Sequence, residues 1–263
     1  MKKFGIDVSK WQGRFNFDKA KSEGVEFVIL RGAYSTGKDT KFEEYYTACK
    51  TLGLPVGVYQ YSMAQTVTEA KKEAEMLYNH VLKGKKFEYP IYIDVEDKVQ
   101  LELPRKLLTD IVVTWCSYLS AKGYFVGIYA GKYTLIRNLD DSRLKGFTHW
   151  IPQWAEQCTY EDKSVLGMWQ FGGETNKIRS KIIAGVVCDQ NYAYVDFPAA
   201  IKAKGLNGYT NTPATKKPVS AAEIASAKKT VQTKAGLEDS TIKYLMDYKY
   251  GNDLIVKLAK AMK

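Results

Sequence analysis

The segment Tyr89-Pro90-Ile91-Tyr92-Ile93-Asp94-Val95-Glu96-Asp97 carries the strongest signal in the chain. A β-branched apolar run after a proline predicts a buried strand over Ile91–Val95. Asp94 and Glu96 are two residues apart, so alternation along an extended chain places both carboxylates on one face. Such a pair is costly to hold and is typical of acid/base sites. The segment therefore predicts a catalytic pair, and the alternative is a strand-end pair neutralised by Lys or Arg on neighbouring loops.

Strands and helices alternate on both sides of this segment. The further strands are predicted at Phe4–Val8, Glu26–Tyr34, Pro55–Tyr61, Tyr124–Tyr129, His149–Trp154, Leu166–Phe171 and Gly185–Asp189, with helices at Phe15–Glu23, Phe42–Leu52, Val67–Leu82 and Pro104–Ala121. Eight strands in about 190 residues, with the last helices reduced, predict an α/β fold, an irregular (β/α) TIM-like barrel. No Gly-rich phosphate loop follows the first strand, which weighs against a Rossmann sheet.

The composition changes after residue 203. Residues 204–218 are rich in Gly, Thr and Pro and predict a linker between a catalytic barrel over residues 1–203 and a module over residues 219–263. Three short helices are predicted in this module, at Ser220–Lys234, Ser240–Tyr248 and Asn252–Met262. About 45 residues form a marginal independent fold, so we expect this small all-α module to self-associate or to bind a partner.

Charge and cysteine content limit the function classes. The net charge is +10, and the segment from Ile201 onward contains twelve lysines against five acidic residues, which makes the last quarter strongly basic. This balance predicts attraction to polyanions, and we expect anionic wall polymers rather than nucleic acid. The four cysteines are widely spaced and form no CxxC, so we expect reduced thiols, no metal site and no cofactor; they are Cys49, Cys116, Cys158 and Cys188.

Barrel enzymes carry their active sites at the carboxyl ends of the strands. Four acids are predicted there: Asp7, Asp94, Glu96 and Asp189. The first and last strands of a closed barrel are neighbours, so Asp7 and Asp189 should face each other. Aromatic and amide residues end the other strands and are the expected substrate contacts: Tyr59, Tyr61, Tyr129, Gln153, Trp154, Trp169, Gln170 and Asn191. Carboxylates among Tyr and Trp predict a glycoside hydrolase. We expect Trp11 to pack and Arg31 to pair with the acids.

Seven short blocks occur in an order that resembles family 25 of the glycoside hydrolases, the Chalaropsis-type lysozymes. The first block is Gly5-Ile6-Asp7-Val8-Ser9-Lys10-Trp11-Gln12, and the others are residues 57–61, 93–96, 127–129, 150–154, 168–171 and 189–191. The resemblance covers roughly residues 1–200. Two positions depart from it. Gln60-Tyr61 stands where His-Phe or His-Tyr is common, and Cys188 precedes Asp189; we expect both to tune the pocket.

The resemblance implies cleavage of the β-1,4 bond after N-acetylmuramic acid in peptidoglycan. Glu96 would be the general acid, and Asp94 would orient the substrate's own 2-acetamido group as nucleophile. Asp7 and Asp189 would hold the surrounding hydrogen-bond network. Two alternatives stay open: a metal-dependent barrel hydrolase using the same four acids, and a wall-binding protein without catalysis. Chitin hydrolysis is disfavoured because no D-x-x-D-x-D-x-E series precedes Glu96.

The cellular context is predicted from the amino-terminal sequence and the tail. We expect no secretory leader, because only a few apolar residues separate Met1-Lys2-Lys3 from Asp7, and no run approaches the ~20 apolar residues of a membrane span. The tail resembles, less specifically, the helical tails of some clostridial phage lysins. We therefore expect a phage endolysin made in the host cytoplasm and released by a holin, with no membrane insertion and a wall-binding tail. An exported bacterial autolysin is the alternative.

Overall fold

The structure is a computed structural model that describes residues 2–173, 181–210, 220–248 and 251–262. The chain divides into two compact units, Met1–Asn211 and Thr212–Lys263. No helix in these described ranges is long and apolar enough to cross a membrane. Residues 211–218 of the predicted linker lie outside the described residues.

The first unit is a closed barrel, which confirms the predicted fold class. Its strands are β1 Lys3–Val8, β2 Phe27–Tyr34, β3 Gly37–Lys38, β4 Val56–Tyr61, β5 Ile91–Asp94, β6 Val126–Tyr129, β7 Thr148–Pro152, β8 Leu166–Gly172 and β9 Asp189–Ala193. The hydrogen-bonded order is β1-β9-β8-β7-β6-β5-β4-β2, with β1 pairing β2 to close eight strands and β3 added at the edge of β2. Strands β1, β2 and β4 to β8 are parallel.

The last strand differs from its predicted position and direction. Strand β9 begins at Asp189, where the predicted strand ended, and it runs antiparallel to both β1 and β8. The predicted strand Gly185–Asp189 lay too early in the chain, and its residue Val187 is 44% exposed. Because β9 runs in the opposite direction, its first residues lie at the end of the barrel where the parallel strands finish. Asp7 and Asp189 are consequently partners in the β1–β9 register.

Helices cover the outside of the barrel unevenly. They are α1 Phe17–Ser22, α2 Phe42–Thr51, α3 Val67–Leu77, α4 Lys98–Leu101, α5 Arg105–Ala121, α6 Lys132–Arg137 and α7 Phe197–Lys204, with α3 continued by a π-helical turn at Tyr78–Leu82. The main hydrophobic core lies between these helices and the outer faces of the strands. A second cluster fills the barrel interior around Trp150, Tyr92 and Phe27.

The chain after α7 closes the base of the barrel. Asn207 is fully buried, and its Nδ2 donates to the Tyr89 carbonyl at 2.9 Å while its Oδ1 accepts from the Phe125 amide at 2.7 Å. Residues 204–209, which were predicted as linker, therefore belong to the barrel. The Gly-rich composition of this stretch gave no sign that the Asn207 side chain would bond two backbone groups of the barrel. The second unit holds α8 Ala221–Ala235, α9 Asp239–Asp247 and α10 Gly251–Ala261 around a small core that includes Val231 and Ile255.

Candidate active site

A cavity of about 210 Å³ opens at the carboxyl ends of the parallel strands. This first cavity is lined by Asp7, Val8, Ser9, Trp11, Gln12, Arg31, Tyr59, Tyr61, Asp94, Glu96, Tyr129, Trp150, Gln170 and Asp189. All four predicted acids are among these residues. Strand alternation explains which residues line the cavity. The residues next to the lining positions, such as Ile93 beside Asp94 and Ile128 beside Tyr129, face the outer core instead.

Asp7 is held at the floor of the cavity by two amide side chains. Its Oδ2 accepts from Gln170 Nε2 at 3.1 Å and from Asn191 Nδ2 at 2.8 Å. Burial raises the pKa of Asp7 to about 6; the two amide hydrogen bonds oppose this rise, and the negative Glu96 adds to it. Asp7 thus holds its proton into the weakly acidic range.

Aromatic donors fix which way the two amides point. Tyr129 donates its hydroxyl to Gln170 Oε1 at 3.0 Å, and Trp150 Nε1 donates to Asn191 Oδ1 at 2.8 Å. With both amide oxygens occupied, both NH₂ groups are directed at Asp7. Asn191, predicted as a substrate contact, is fully buried and instead positions Asp7.

Asp94 ends β5 inside the barrel and is only 4% exposed. Burial raises its pKa far above the usual range, and the negative charges of Glu96 and Asp7 act in the same direction. Its Oδ1 has no hydrogen-bond partner among the described residues. A buried oxygen without a donor is costly, and such atoms are typical of sites that a ligand completes.

Glu96 lies two residues beyond Asp94 in the loop after β5, exposed at the mouth of the cavity. The protein around its carboxyl raises its pKa by partial burial, and the neighbouring Asp97 raises it further. Asp97 itself is fixed, because it caps α4 at the Val99 amide and accepts from the Tyr61 hydroxyl at 3.0 Å. Glu96 is therefore a carboxyl with a raised pKa that remains open to a ligand.

The remaining predicted contacts divide into cavity residues and others. Tyr59, Tyr61, Tyr129 and Gln170 line the cavity. Trp154 is 39% exposed and donates Nε1 to Gln170 Oε1 at 3.3 Å, which places its ring near that residue. Neither Gln153 nor Trp169 lines this cavity.

Strand geometry explains the two exclusions. Trp169 is adjacent to the inward-facing Gln170 and so faces outward, where its ring packs 5.6 Å from Phe171. Its Nε1 donates to the Gln153 carbonyl at 2.6 Å. The side chain of Gln153 is bonded to Thr159 instead. The sequence predicted that both Trp169 and Gln170 contact the substrate. Adjacent residues of a strand point to opposite faces, so only one of the two can face the cavity.

Three further differences concern residues at the ends of β1, β2 and β4. Trp11, expected to pack, is 77% exposed and lines the cavity. Arg31, expected to pair with the catalytic acids, pairs with Asp39 at 2.7 Å. Gln60, expected to tune the pocket, faces outward and accepts from Trp115 Nε1 at 2.7 Å. Strict alternation from Tyr59 would have predicted that Gln60 faces outward. The Arg31–Asp39 pair has no comparable pattern in the sequence, because Asp39 follows a strand of only two residues, β3.

Ser9 and Gln12 shape the rim through a short helical turn over Lys10–Gln12. Ser9 accepts from the Trp11 amide, and Gln12 Oε1 accepts from the Ser9 amide at 2.8 Å. This reciprocal pairing gives a physical reason for the D-x-S-x-x-Q spacing after β1. Cys188 is buried in the outer core and does not line the cavity.

The chain belongs to glycosyl hydrolases family 25, whose sequence profile matches residues 6–178. This membership places the protein among the glycoside hydrolases. It is also similar to the autolytic lysozyme of Clostridium acetobutylicum, with 30% identity over 176 residues that cover 66% of this chain and 52% of that protein. The chain thus spans about half the length of that relative.

Two solved structures share the fold at lower identity. The catalytic domain of endolysin ply40 from bacteriophage P40 of Listeria monocytogenes matches with a TM-score of 0.64 and 22% identity, covering 78% of this chain and 98% of that one. The CTP1L endolysin matches with a TM-score of 0.64 and 20% identity, covering 76% of this chain and 70% of that one. At such identities the likeness shows the barrel fold.

Proposed function

We propose that this protein is a muramidase that hydrolyses the β-1,4 bond between N-acetylmuramic acid and N-acetylglucosamine in bacterial peptidoglycan. The observation that carries the proposal is the convergence of Asp7, Asp94, Glu96 and Asp189 on one cavity walled by aromatic side chains. Membership of family 25 and similarity to an autolytic lysozyme support the same reaction class.

Glu96 is the general acid of the proposed reaction. A raised pKa keeps its carboxyl protonated at higher pH than an ordinary glutamate, and its position at the cavity mouth lets it reach a glycosidic oxygen. As the bond breaks, Glu96 transfers its proton to the departing sugar's oxygen and becomes a carboxylate. That carboxylate then takes a proton from the water that completes hydrolysis.

Asp94 provides the second half of the chemistry. Its unpartnered Oδ1 is an acceptor suited to the N–H of a 2-acetamido group, and accepting that bond favours its ionised form. The polarised acetamido oxygen attacks C1 as the glycosidic bond breaks, and water later opens the resulting ring. Asp7 and Asp189, paired across β1 and β9, complete the acidic floor of the cavity.

The decisive experiment is mass spectrometry of purified peptidoglycan after incubation with the wild type or Glu96→Gln. We expect fragments with a reducible N-acetylmuramic acid end from the wild type and none from the variant. Circular dichroism and wall pull-down are the controls, and both should be unchanged. Equal cleavage by Glu96→Gln would contradict the acid assignment, and absence of cleavage by the wild type would favour a non-catalytic wall-binding protein.

We further propose that the protein acts as an endolysin made in the host cytoplasm and released by a holin. The two endolysin barrels of the same fold support this role, whereas the autolytic lysozyme relative keeps the autolysin alternative open. Expression in the host with and without a holin separates them. Lysis only with the holin supports an endolysin, and lysis with export in its absence supports an autolysin.

The helical second unit is proposed to bind the wall, either anionic wall polymers or peptidoglycan itself, and not nucleic acid or membrane. Its composition supports electrostatic attraction, since residues 212–263 contain ten lysines against five acids. Binding of this kind weakens as salt rises. Self-association of the unit remains a proposal that analytical ultracentrifugation of the full chain would test.

A further inference from the structure

A second cavity of about 420 Å³ lies beside the candidate active site. Trp11 and Arg31 line both cavities, and Lys10 together with the β2–β3 segment from Tyr34 to Thr40 provides the rest of the second. Because two side chains belong to both walls, a single ligand can extend from one cavity into the other.

Arg31 lies between the two cavities as a largely buried cation, and part of its guanidinium has no hydrogen-bond acceptor in the described part of the protein. It faces the barrel interior near the end of β2, where a shift in the pairing between Arg31 and Ala33 interrupts the regular register with β4. Its side chain is 8% exposed, and Nε donates to Asp39 Oδ2 at 2.7 Å. Its two terminal nitrogens hydrogen-bond to no described residue. These nitrogens are not among the fully buried atoms that lack a partner, so they reach the space of the cavities and are available to an acceptor there.

Asp39 orients this guanidinium. Besides Arg31 it accepts from the backbone amide of Lys10 at 3.1 Å and from that of Lys41 at 2.9 Å, so both of its oxygens are engaged. Asp39 is only 5% exposed. It therefore holds the Nε edge of Arg31 and leaves the terminal edge directed at the cavities.

The lysines of the second cavity add positive charge. Lys10 forms no ion pair within the described part of the chain, and its Nζ lies 5.1 Å from the Trp11 ring centroid. Lys38 pairs with Glu43, but Glu43 is shared with Lys85. The first cavity is lined by four carboxylates together with Arg31. The second is lined by three cationic side chains, those of Lys10, Arg31 and Lys38, together with the carboxylate of Asp39. Neutral sugar suits the first cavity and an anion suits the second.

We propose that the second cavity binds a carboxylate of the peptide that peptidoglycan carries on its muramic sugar, with Arg31 as bidentate donor and Lys10 as second cation. This inference rests on the proposed muramidase function and adds a substrate preference to it. The planar guanidinium matches a carboxylate with two parallel hydrogen bonds, which a lysine cannot provide. The enzyme then prefers glycan that still bears acidic peptides.

The test compares kcat/KM on three substrates: glycan with its peptides, the same glycan with its carboxylates amidated, and glycan stripped of peptide. Hydrogen bonds to charged groups give an expected preference of the wild type for the first substrate of roughly tenfold to hundredfold. Arg31→Met and Lys10→Met should each reduce this ratio toward one, and Arg31→Lys should retain part of it. Lys71→Met, on the exposed surface of α3, is the matched control and should keep the full ratio.

The outcomes separate the two proposals. Cleavage of all three substrates at equal rates by the wild type overturns the peptide-carboxylate site and leaves the muramidase proposal intact. A preference that survives in both Arg31→Met and Lys10→Met also overturns the site. Cleavage of none of the substrates contradicts the muramidase function itself. If Arg31→Met does not fold, as circular dichroism will show, Arg31→Lys and Lys10→Met still decide the question.

Discussion

Replacing Asp7 with Asn should stabilise the folded protein in neutral and alkaline solution. Burial is the main cause that raises the pKa of Asp7 from 3.8 to about 6. A carboxyl with a raised folded pKa binds its proton more tightly in the folded state, so the ionised side chain opposes folding above about pH 6. The penalty is absent below the unfolded pKa of 3.8. Asparagine keeps an oxygen for both amide donors and removes the charge.

The magnitude follows from the same pKa values. A rise from 3.8 to about 6 corresponds to about 3 kcal/mol at high pH, since a tenfold change in proton affinity is ~1.4 kcal/mol. Asp7 is 5% exposed, so solvent screening reduces this little. For a barrel of this size we expect Tm to rise by roughly 6 to 12 °C at about pH 8. The gain should shrink to near zero at about pH 4.

Differential scanning calorimetry and urea unfolding across this pH range provide the assay. Asp110→Asn is the control of opposite sign, because hydrogen bonds from Lys106 and Arg143 hold the pKa of half-buried Asp110 below its usual range. That variant should lose a little stability above about pH 4 and none in acid. A stability difference for Asp7→Asn that does not depend on pH, or a loss of stability at about pH 8, would refute the reasoning. Turnover should fall as stability rises.

Four further predictions concern the site and the second unit. Asp97→Asn keeps an oxygen for the cap at Val99 and presents its NH₂ as a donor to the Tyr61 hydroxyl, but it removes a charge that raises the pKa of Glu96, the proposed general acid. The alkaline limb of the pH–rate profile should therefore move to lower pH, and an unmoved limb would contradict this coupling. Gly173→Ala brings a Cβ within 1.9 Å of Asp189 Oδ1 and should displace that carboxylate, which should reduce kcat by roughly tenfold or more. Gly131→Ala is the control, and it should leave kcat unchanged because the nearest atom to its Cβ is 3.6 Å away. A chain ending at residue 211 should keep a cooperative barrel and bind walls less tightly; equal binding would exclude a wall-binding role for the removed unit. Exhaustive chelation should leave activity unchanged, and a loss restored by Mg²⁺ or Ca²⁺ would favour the metal-dependent alternative.

Short-range periodicity predicted the strands and the inward direction of Asp94, and the closure of a barrel predicted that Asp7 and Asp189 are neighbours. The direction of β9 could not be predicted from its residues, because an antiparallel last strand needs no helical crossover and leaves no pattern. The Arg31–Asp39 pair could not be predicted either, since it depends on a register shift in β2 and on a two-residue strand.

The reversed β9 has a chemical consequence for the site. In a fully parallel barrel, residues that begin a strand lie at the end remote from the active site. Because β9 runs antiparallel, its first residue, Asp189, and its third, Asn191, both face the floor of the cavity, in register with Asp7 and Gly5. Gly5 has no room for a Cβ, which would lie 2.5 Å from the Phe27 ring. The absence of a side chain at Gly5 therefore lets the Phe27 ring pack against β1. Asn191, the β9 partner of Gly5, donates its NH₂ to Asp7 at 2.8 Å. Strand β9, which departs most from regular barrel topology, thus supplies both the carboxylate of Asp189 and the Asn191 amide that orients Asp7.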